Sequence, residues 1–258
     1  MNLRTKKPNK KIISINVKNP YKFIVKNSYN SIIPLKIYQT WYTKDIPYHM
    51  KKNIDKLKEQ NPEFEHFLFD DNDCRNFISN NFSVDVLQAF DKLKPGAYKA
   101  DLWRYCVLYI NGGVYLDIKF NCVNGFKLIA LTEKERFPTD VTVSEYPNEP
   151  NKGVYNGFMM SIPKNKKLWN AIQQVVKNVN YNYYGHSPLD PTGPIMLGNF
   201  FPYKYKKNSV VRRYVGNQGN GLSIQNIIIL DEYSEYRDEQ NKAQIHYNIL
   251  WKNRDIYI

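Results

Sequence analysis

Apolar positions along the chain switch repeatedly between a period of two and a period near 3.6, and the switches mark out its elements. Residues 33–41, Ile-Pro-Leu-Lys-Ile-Tyr-Gln-Thr-Trp, read as a first strand. Residues 48–60 put Met50, Ile54 and Leu57 on one helical face, and Asn61-Pro62 closes that helix. Phe64 to Phe69 alternates as a second strand, after which Asp71 or Asp73 is placed to cap a short helix bearing Phe77 and Ile78. A helix near 84–93 follows. Pro95-Gly96 opens the next, where Leu102, Tyr105, Cys106 and Tyr109 recur at helical spacing. Asn111-Gly112-Gly113 ends it with residues that tolerate the left-handed backbone of a helix terminus. Val114-Tyr115-Leu116 is then a brief strand that delivers Asp117 to its carboxyl end. Further on, residues 141–146 and Tyr155 to Ser161 read as strands, Lys166 to Lys177 as a helix through Leu168, Ile172 and Val175, and Ile227 to Leu230 as a late buried strand. Strands alternating with helices predict an α/β fold, a mainly parallel mixed sheet with crossover helices. No internal repeat is visible.

Chemistry concentrates around Asp117. In open α/β sheets ligands bind at the carboxyl ends of the strands. Asp101 and Arg104, three apart, share one side of the preceding helix and can point to the same place. Taken singly, the pair also fits an ordinary surface ion pair worth about 0.2–0.5 kcal/mol, and Asp117 a plain turn residue.

Charge changes the picture less than its size suggests. Lys and Arg number 37 against 24 Asp and Glu, a net +13, and 42% of the 258 residues are hydrophobic, enough for one large core. Residues 1–26 hold eight of the cations and no acid, so the remainder carries only +5. Residues 1–30 are therefore expected to be a basic extension and 31–258 a single domain. A balance this basic suits nucleic acid, but no recognised nucleic-acid module or interleaved basic-aromatic platform accompanies it. Residues 203–213 form a further basic stretch, read as a solvated loop. The 21 tyrosines and abundant Lys and Asn point in part to an AT-rich genome. Cys74, Cys106 and Cys122 are odd in number and lack Cys-x-x-Cys spacing, which argues against a disulfide framework or a zinc site. With no signal-like or membrane-length apolar run, the chain is expected to be a soluble protein of a reducing, cytoplasmic compartment.

The string Asp101-x-x-Arg104, Gly112-Gly113, Tyr115-x-Asp117 resembles the signature of glycosyltransferase family 32 and of the related clostridial toxin glucosyltransferase domains. Ile33 to Trp41 resembles the family's first strand and Asn61 to Asp71 its second. Asn156-Gly-Phe-Met-Met-Ser161 and Pro191-Thr-Gly-Pro194 resemble two later landmarks. His246 and Trp251 keep two residues of the family's closing motif, while Ile245 and Leu250 replace its first His and its Ser. The resemblance covers about positions 32 to 251. It implies a GT-A-like nucleotide-sugar-binding fold and transfer of a sugar, with retention, from a UDP- or GDP-sugar donor to a glycan or glycoprotein acceptor. It implies Asp101, Arg104 and Asp117 as catalytic residues, and Trp41, Tyr115, Lys119, Asn156, His246 and Trp251 as donor-binding ones. Mn²⁺ or Mg²⁺ would be the cofactor, with Asp117 and His246 as its candidate ligands.

One departure bears on the cofactor. Where the family pattern has its second acid, this chain has Lys119. A protonated lysine cannot coordinate a metal. Three readings stay open: its ammonium replaces the metal at the diphosphate, the site is a degenerate sugar-binding one, or another residue holds the metal.

Overall fold

The computed structural model describes residues 26, 28–140, 153–207, 209–216, 219–243 and 245–258. The strand expected at 141–146 and nearly all of the basic N-terminal stretch lie outside them.

The first half of the chain builds one sheet. Strand β1 (Lys36–Thr40) is followed by helix α1 (Tyr48–Gln60), β2 (Glu65–Phe69), helices α2 (Asp71–Asn81), α3 (Val84–Lys92) and α4 (Gly96–Asn111), and β3 (Gly113–Leu116). Helical crossovers bring the chain back to run in the same direction each time, so β1 pairs parallel with β2 on one side and β3 on the other. The first strand begins at Lys36 rather than Ile33. Pro34 has no N–H to give a ladder, and the amides of Ile32 and Ile33 turn aside to the Thr132 carbonyl.

Next come β4 (Phe120–Cys122), a 3-10 turn at Leu128–Leu131, β5 (Thr139–Asp140), β6 (Gly153–Val154) and β7 (Phe158–Ser161), which adds antiparallel to β3. Helices α5 (Lys166–Asn180), α6 (Pro194–Gly198) and α7 (Tyr203–Lys207) lead to β8 (Val211–Gly216), β9 (Gly219–Ile224), β10 (Ile227–Glu232), α8 (Tyr236–Ala243) and α9 (Tyr247–Lys252). The sheets run β2-β1-β3-β7 and β4-β10-β9-β8-β5-β6. The mixed α/β class is as expected, but the parallel character belongs to the first sheet. In the second only β5 and β8 run parallel, and the link between β9 and β10 is too short for a crossover. The β9–β10 turn is two residues, Gln225-Asn226, both with positive φ. Residues 203–213, expected as a loop, form α7 and the start of β8.

Local signals mostly act as their chemistry dictates. Met50, Ile54 and Leu57 are buried under α1. The cap of α2 is Asp70, not Asp71 or Asp73: its carboxylate accepts from the Asp73 amide at 2.8 Å, and the Asp73 carboxylate answers to the Asp70 amide. Gly112 and Gly113 take φ of 64° and 103° where α4 meets β3, and a Cβ on Gly112 would collide with Pro163 and the Ser161 carbonyl. Helix α4 is buried all round from Asp101 to Leu108, beyond the single face that periodicity predicts, because α2, α3, α5, α9 and the first sheet enclose it. Neighbours on β1 divide between two cores. Ile37 joins Val114, Leu116, Phe120 and Leu230 on one face, while Tyr38 joins Trp103, Tyr115 and the helices on the other. All three cysteines are buried and free. No helix among the described residues is long and apolar enough to cross a membrane.

Candidate active site

Because β1, β2 and β3 run parallel, their carboxyl ends reach one edge together, placing Trp41, Asp71 and Asp117 around a cleft of about 230 Å³. Helix α4 passes behind it and contributes Asp101 and Arg104. The segment before β7 adds Tyr155 and Asn156, β8 adds Arg213, and the approach to α9 adds His246.

Asp117 is the hub. Its Oδ1 accepts from the Tyr115 hydroxyl at 3.1 Å and faces Arg104 Nη1 at 3.4 Å. Its Oδ2 accepts from the Tyr155 hydroxyl at 3.2 Å and faces Lys119 Nζ at 3.3 Å. Burial pushes its carboxyl pKa up, but Lys119 and Arg104 more than offset that and hold it below the usual range. The Asp117 amide donates to the Gly157 carbonyl, which fixes the strand end. Gly157 has no alternative: a Cβ there would overlap Asp117 Oδ2 and the Tyr155 hydroxyl.

Asp101 and Arg104 are drawn in rather than exposed, and their ion pair at 3.4 Å is not a surface one. Asp101 Oδ1 accepts from Asn156 Nδ2 at 2.8 Å and its Oδ2 from Thr192 Oγ1 at 2.7 Å. Burial raises its pKa in spite of Arg104. Arg104 stacks 4.3 Å from the Tyr115 ring and donates to the Asn156 carbonyl at 3.0 Å. Burial alone would ease its proton away, but Tyr115, Asp101 and Asp117 hold it firmly charged.

The expected donor-binding residues separate in space. Tyr115, Trp41, Lys119, Asn156 and His246 all line the cleft. Trp41 packs on Met50, Ile54 and Ile118, and its indole N–H meets no acceptor among the described residues. Asn156 spends its amide hydrogens on Asp101 and the Tyr105 hydroxyl, so it orients the acid from behind. Trp251 is not brought in: its indole donates to the Tyr184 carbonyl at 2.8 Å and its ring packs on the helical core.

Three site residues escape sequence reasoning. Thr192 lies in the Pro-Thr-Gly-Pro landmark without a stated role, and Tyr155 directly precedes Asn156. Arg213 sits in the stretch read as solvated surface, and nothing in its local sequence separates it from its basic neighbours.

The donor set tests poorly for a divalent metal. Among the described residues no three His, Cys, Asp or Glu side chains gather around one point. Asp117 already faces two cations and two phenols. His246 Nδ1 accepts from the Asn248 amide at 3.2 Å, capping α9, so in the neutral ring the proton sits on Nε2. Burial and Arg237 depress the His246 pKa. As disposed, these residues do not fit the metal.

Residues 47–137 match the family described as "Glycosyltransferase sugar-binding region containing DXD motif". The match takes in Asp101, Arg104, Asp117 and Lys119, the cluster just described. This stretch is similar to a glycosyltransferase sugar-binding region. Its Asp-x-Asp reads Asp117-Ile118-Lys119 here. An "Uncharacterized glycosyltransferase L373" of Acanthamoeba polyphaga mimivirus is 38% identical over 93 residues, 35% of this chain and 37% of that protein. "Inositol phosphoceramide mannosyltransferase 2" of Schizosaccharomyces pombe is 29% identical over 178 residues, 68% of this chain and 48% of that protein. The chain thus spans half or less of the length of these curated relatives. A solved structure titled "PaToxG Glycosyltransferase" aligns over 68% of this chain and 69% of its own, at 16% identity and a TM-score of 0.47.

Proposed function

We propose that the chain transfers a hexosyl group, with retention, from a nucleotide sugar held in the cleft to a hydroxyl of a glycan or glycolipid. The observation that carries this is the convergence of Asp101, Arg104 and Asp117 at the carboxyl ends of three parallel strands, within the matched sugar-binding region. The fission-yeast relative's name favours mannose as the sugar and an inositol-bearing lipid as the acceptor class.

The chemistry follows from what each group can offer. Asp101 and Arg104 orient sugar hydroxyls, and the Asp117 end of β3 takes hydroxyls by charge-assisted hydrogen bonds. The bond from C1 to the β-phosphate oxygen breaks with both electrons going to phosphate. The acceptor oxygen bonds to C1 and its proton passes to the departing diphosphate. Every oxygen of Asp101 and Asp117 already meets a protein donor, so neither is poised as a nucleophile. Departure and attack on one face of the sugar suits that arrangement. Lys119 supplies positive charge at the leaving group as an ammonium.

The test is hydrolysis and transfer with GDP-mannose and UDP-hexoses, each with EDTA or Mn²⁺. Turnover with any of them supports the reading. Lys119 favours one alternative, a donor-binding protein without turnover, and nucleotide binding without hydrolysis or transfer under every condition would establish it instead.

A further inference from the structure

Arg213 belongs to none of the matched motifs, yet it reaches the same cleft from the opposite sheet. Its Nη1 donates to Asp140 Oδ2 at 2.9 Å, and Asp140 is wholly buried, so the cation is the member of that pair that faces a ligand. Its guanidinium lies 4.8 Å from the Tyr155 ring centre. Tyr155 is the connection to Lys119. Its hydroxyl donates to Asp117 Oδ2, the same oxygen that Lys119 approaches.

Two cations therefore flank one Tyr155–Asp117 contact. Among the described residues that line the cleft, the permanent cations are Arg104, Lys119 and Arg213. Arg104 is 7% exposed and committed to two carboxylates and two carbonyls. Lys119 and Arg213 keep 16% and 22% of their side chains open. They also feel each other, since Arg213 opposes the charging of Lys119. Two like charges on the walls of one cleft gain from an anion that bridges them.

We propose that Lys119 and Arg213 together form a clamp for the diphosphate of the donor, doing with two side-chain cations what the family does with a metal. This rests on the nucleotide-sugar reading above and adds Arg213 to it. The guanidinium presents a planar pair of N–H donors to phosphate oxygens and Lys119 a point charge. When the C1–O bond breaks, the electron pair stays on the phosphate and the two cations offset it. No proton moves to or from either.

Calorimetry in EDTA tests it, with GDP, GMP and guanosine and with UDP, UMP and uridine as probes. The wild-type chain is expected to bind one diphosphate about tenfold or more tighter than its monophosphate, the gain from charged hydrogen bonds to the second phosphate. Arg213→Ala takes a cation away from the buried Asp140 carboxylate and can unfold the chain. The informative variant is therefore Arg213→Met with Asp140→Asn, which removes both charges together. It should lose most of the diphosphate margin while nucleoside affinity stays within about twofold. Arg213→Lys should retain an intermediate margin. If the double variant does not fold, the wild-type margin in EDTA and its partial loss in Arg213→Lys decide the matter. A margin that survives in the variants, or one that appears in the wild type only with Mn²⁺, overturns the clamp while leaving the nucleotide-sugar reading standing. No binding of any probe overturns both.

Discussion

Lys119 Nζ lies 3.3 Å from Asp117 Oδ2. The residue that replaces the second acid of the motif thus pairs with the first. A carboxylate that would ordinarily attract a divalent cation is met by a resident one, and the strand end is near neutral before any ligand arrives. Burial alone would lower the lysine pKa, yet Asp117, Tyr236 and Glu232 raise it above the usual value. Lys119 therefore stays charged throughout the physiological range.

Donor turnover should accordingly persist in EDTA, and Lys119→Ala should lower it by about tenfold or more, the scale of one charged contact to phosphate. Lys119→Asp should bring in Mn²⁺ dependence if the rest of the site holds. Assays with added EDTA and with Mn²⁺ restored check this. Activity that vanishes with EDTA and returns with Mn²⁺ in the wild type would place a metal on other residues.

Asp117→Asn should do two things at once. The amide cannot accept as an anion, so donor affinity falls. It also leaves Arg104 and Lys119 without their shared counter-charge, at a cost of about 3 kcal/mol in unfolding free energy. Urea unfolding beside calorimetry separates the effects. Unchanged stability would mean the two cations find other partners, and unchanged donor affinity would remove Asp117 from the site.

Gly157→Ala adds one methyl group where Asp117 Oδ2 and the Tyr155 hydroxyl already meet. The glycine backbone there needs no unusual φ, so the strain falls on the two side chains. We expect a folded protein with a normal circular dichroism spectrum whose donor binding is lost or weakened by about tenfold. Wild-type affinity in a folded variant would show that the Tyr155–Asp117 contact is dispensable.

His66 makes stability depend on pH. Burial and then Lys58 push its pKa down to about 4, and its Nε2 contacts Gln39 Oε1 at 2.7 Å. The unfolded chain takes up that proton near pH 6.5 and the folded one only near 4, so stability falls as pH drops through this window, by roughly 3 kcal/mol at full extent. Asp71 acts in the opposite sense. Burial raises its carboxyl pKa to about 6, so the folded state gains stability as pH falls from 6 toward 4. The quantity to measure is therefore the difference between wild type and His66→Gln across pH 4–7. It should shrink as the pH is lowered, and a difference independent of pH would mean His66 charges freely in the folded protein.

Much of this site is visible in one dimension because its parts depend on short-range chemistry. The Gly112-Gly113 stop, the Asn61-Pro62 break and the spacing of Asp101 and Arg104 need only neighbouring residues to act. So does the delivery of Asp117 to a strand end. Where the sequence reading slipped, the competing influence was also local. Asp70 rather than Asp71 or Asp73 caps α2 because its side chain, one residue earlier, reaches the Asp73 amide.

The remainder depends on elements far apart in the chain. Periodicity marks a buried face on α4 but cannot tell that α2, α3, α5 and α9 cover the others, which turns Asp101 and Arg104 from a surface pair into an enclosed one. Trp251 keeps its place in a motif, yet the Tyr184 carbonyl takes its indole away from the cleft. Arg213 looks like any other cation in a basic stretch until β8 pairs with β5 and sets it against Asp140 and Tyr155. Sequence alone determined which strand ends carry charge, since helix stops and strand starts follow from nearest-neighbour sterics and burial pattern. Tertiary structure decided which charges meet, because pairing energy depends on distance and desolvation, and only the packed sheets set both.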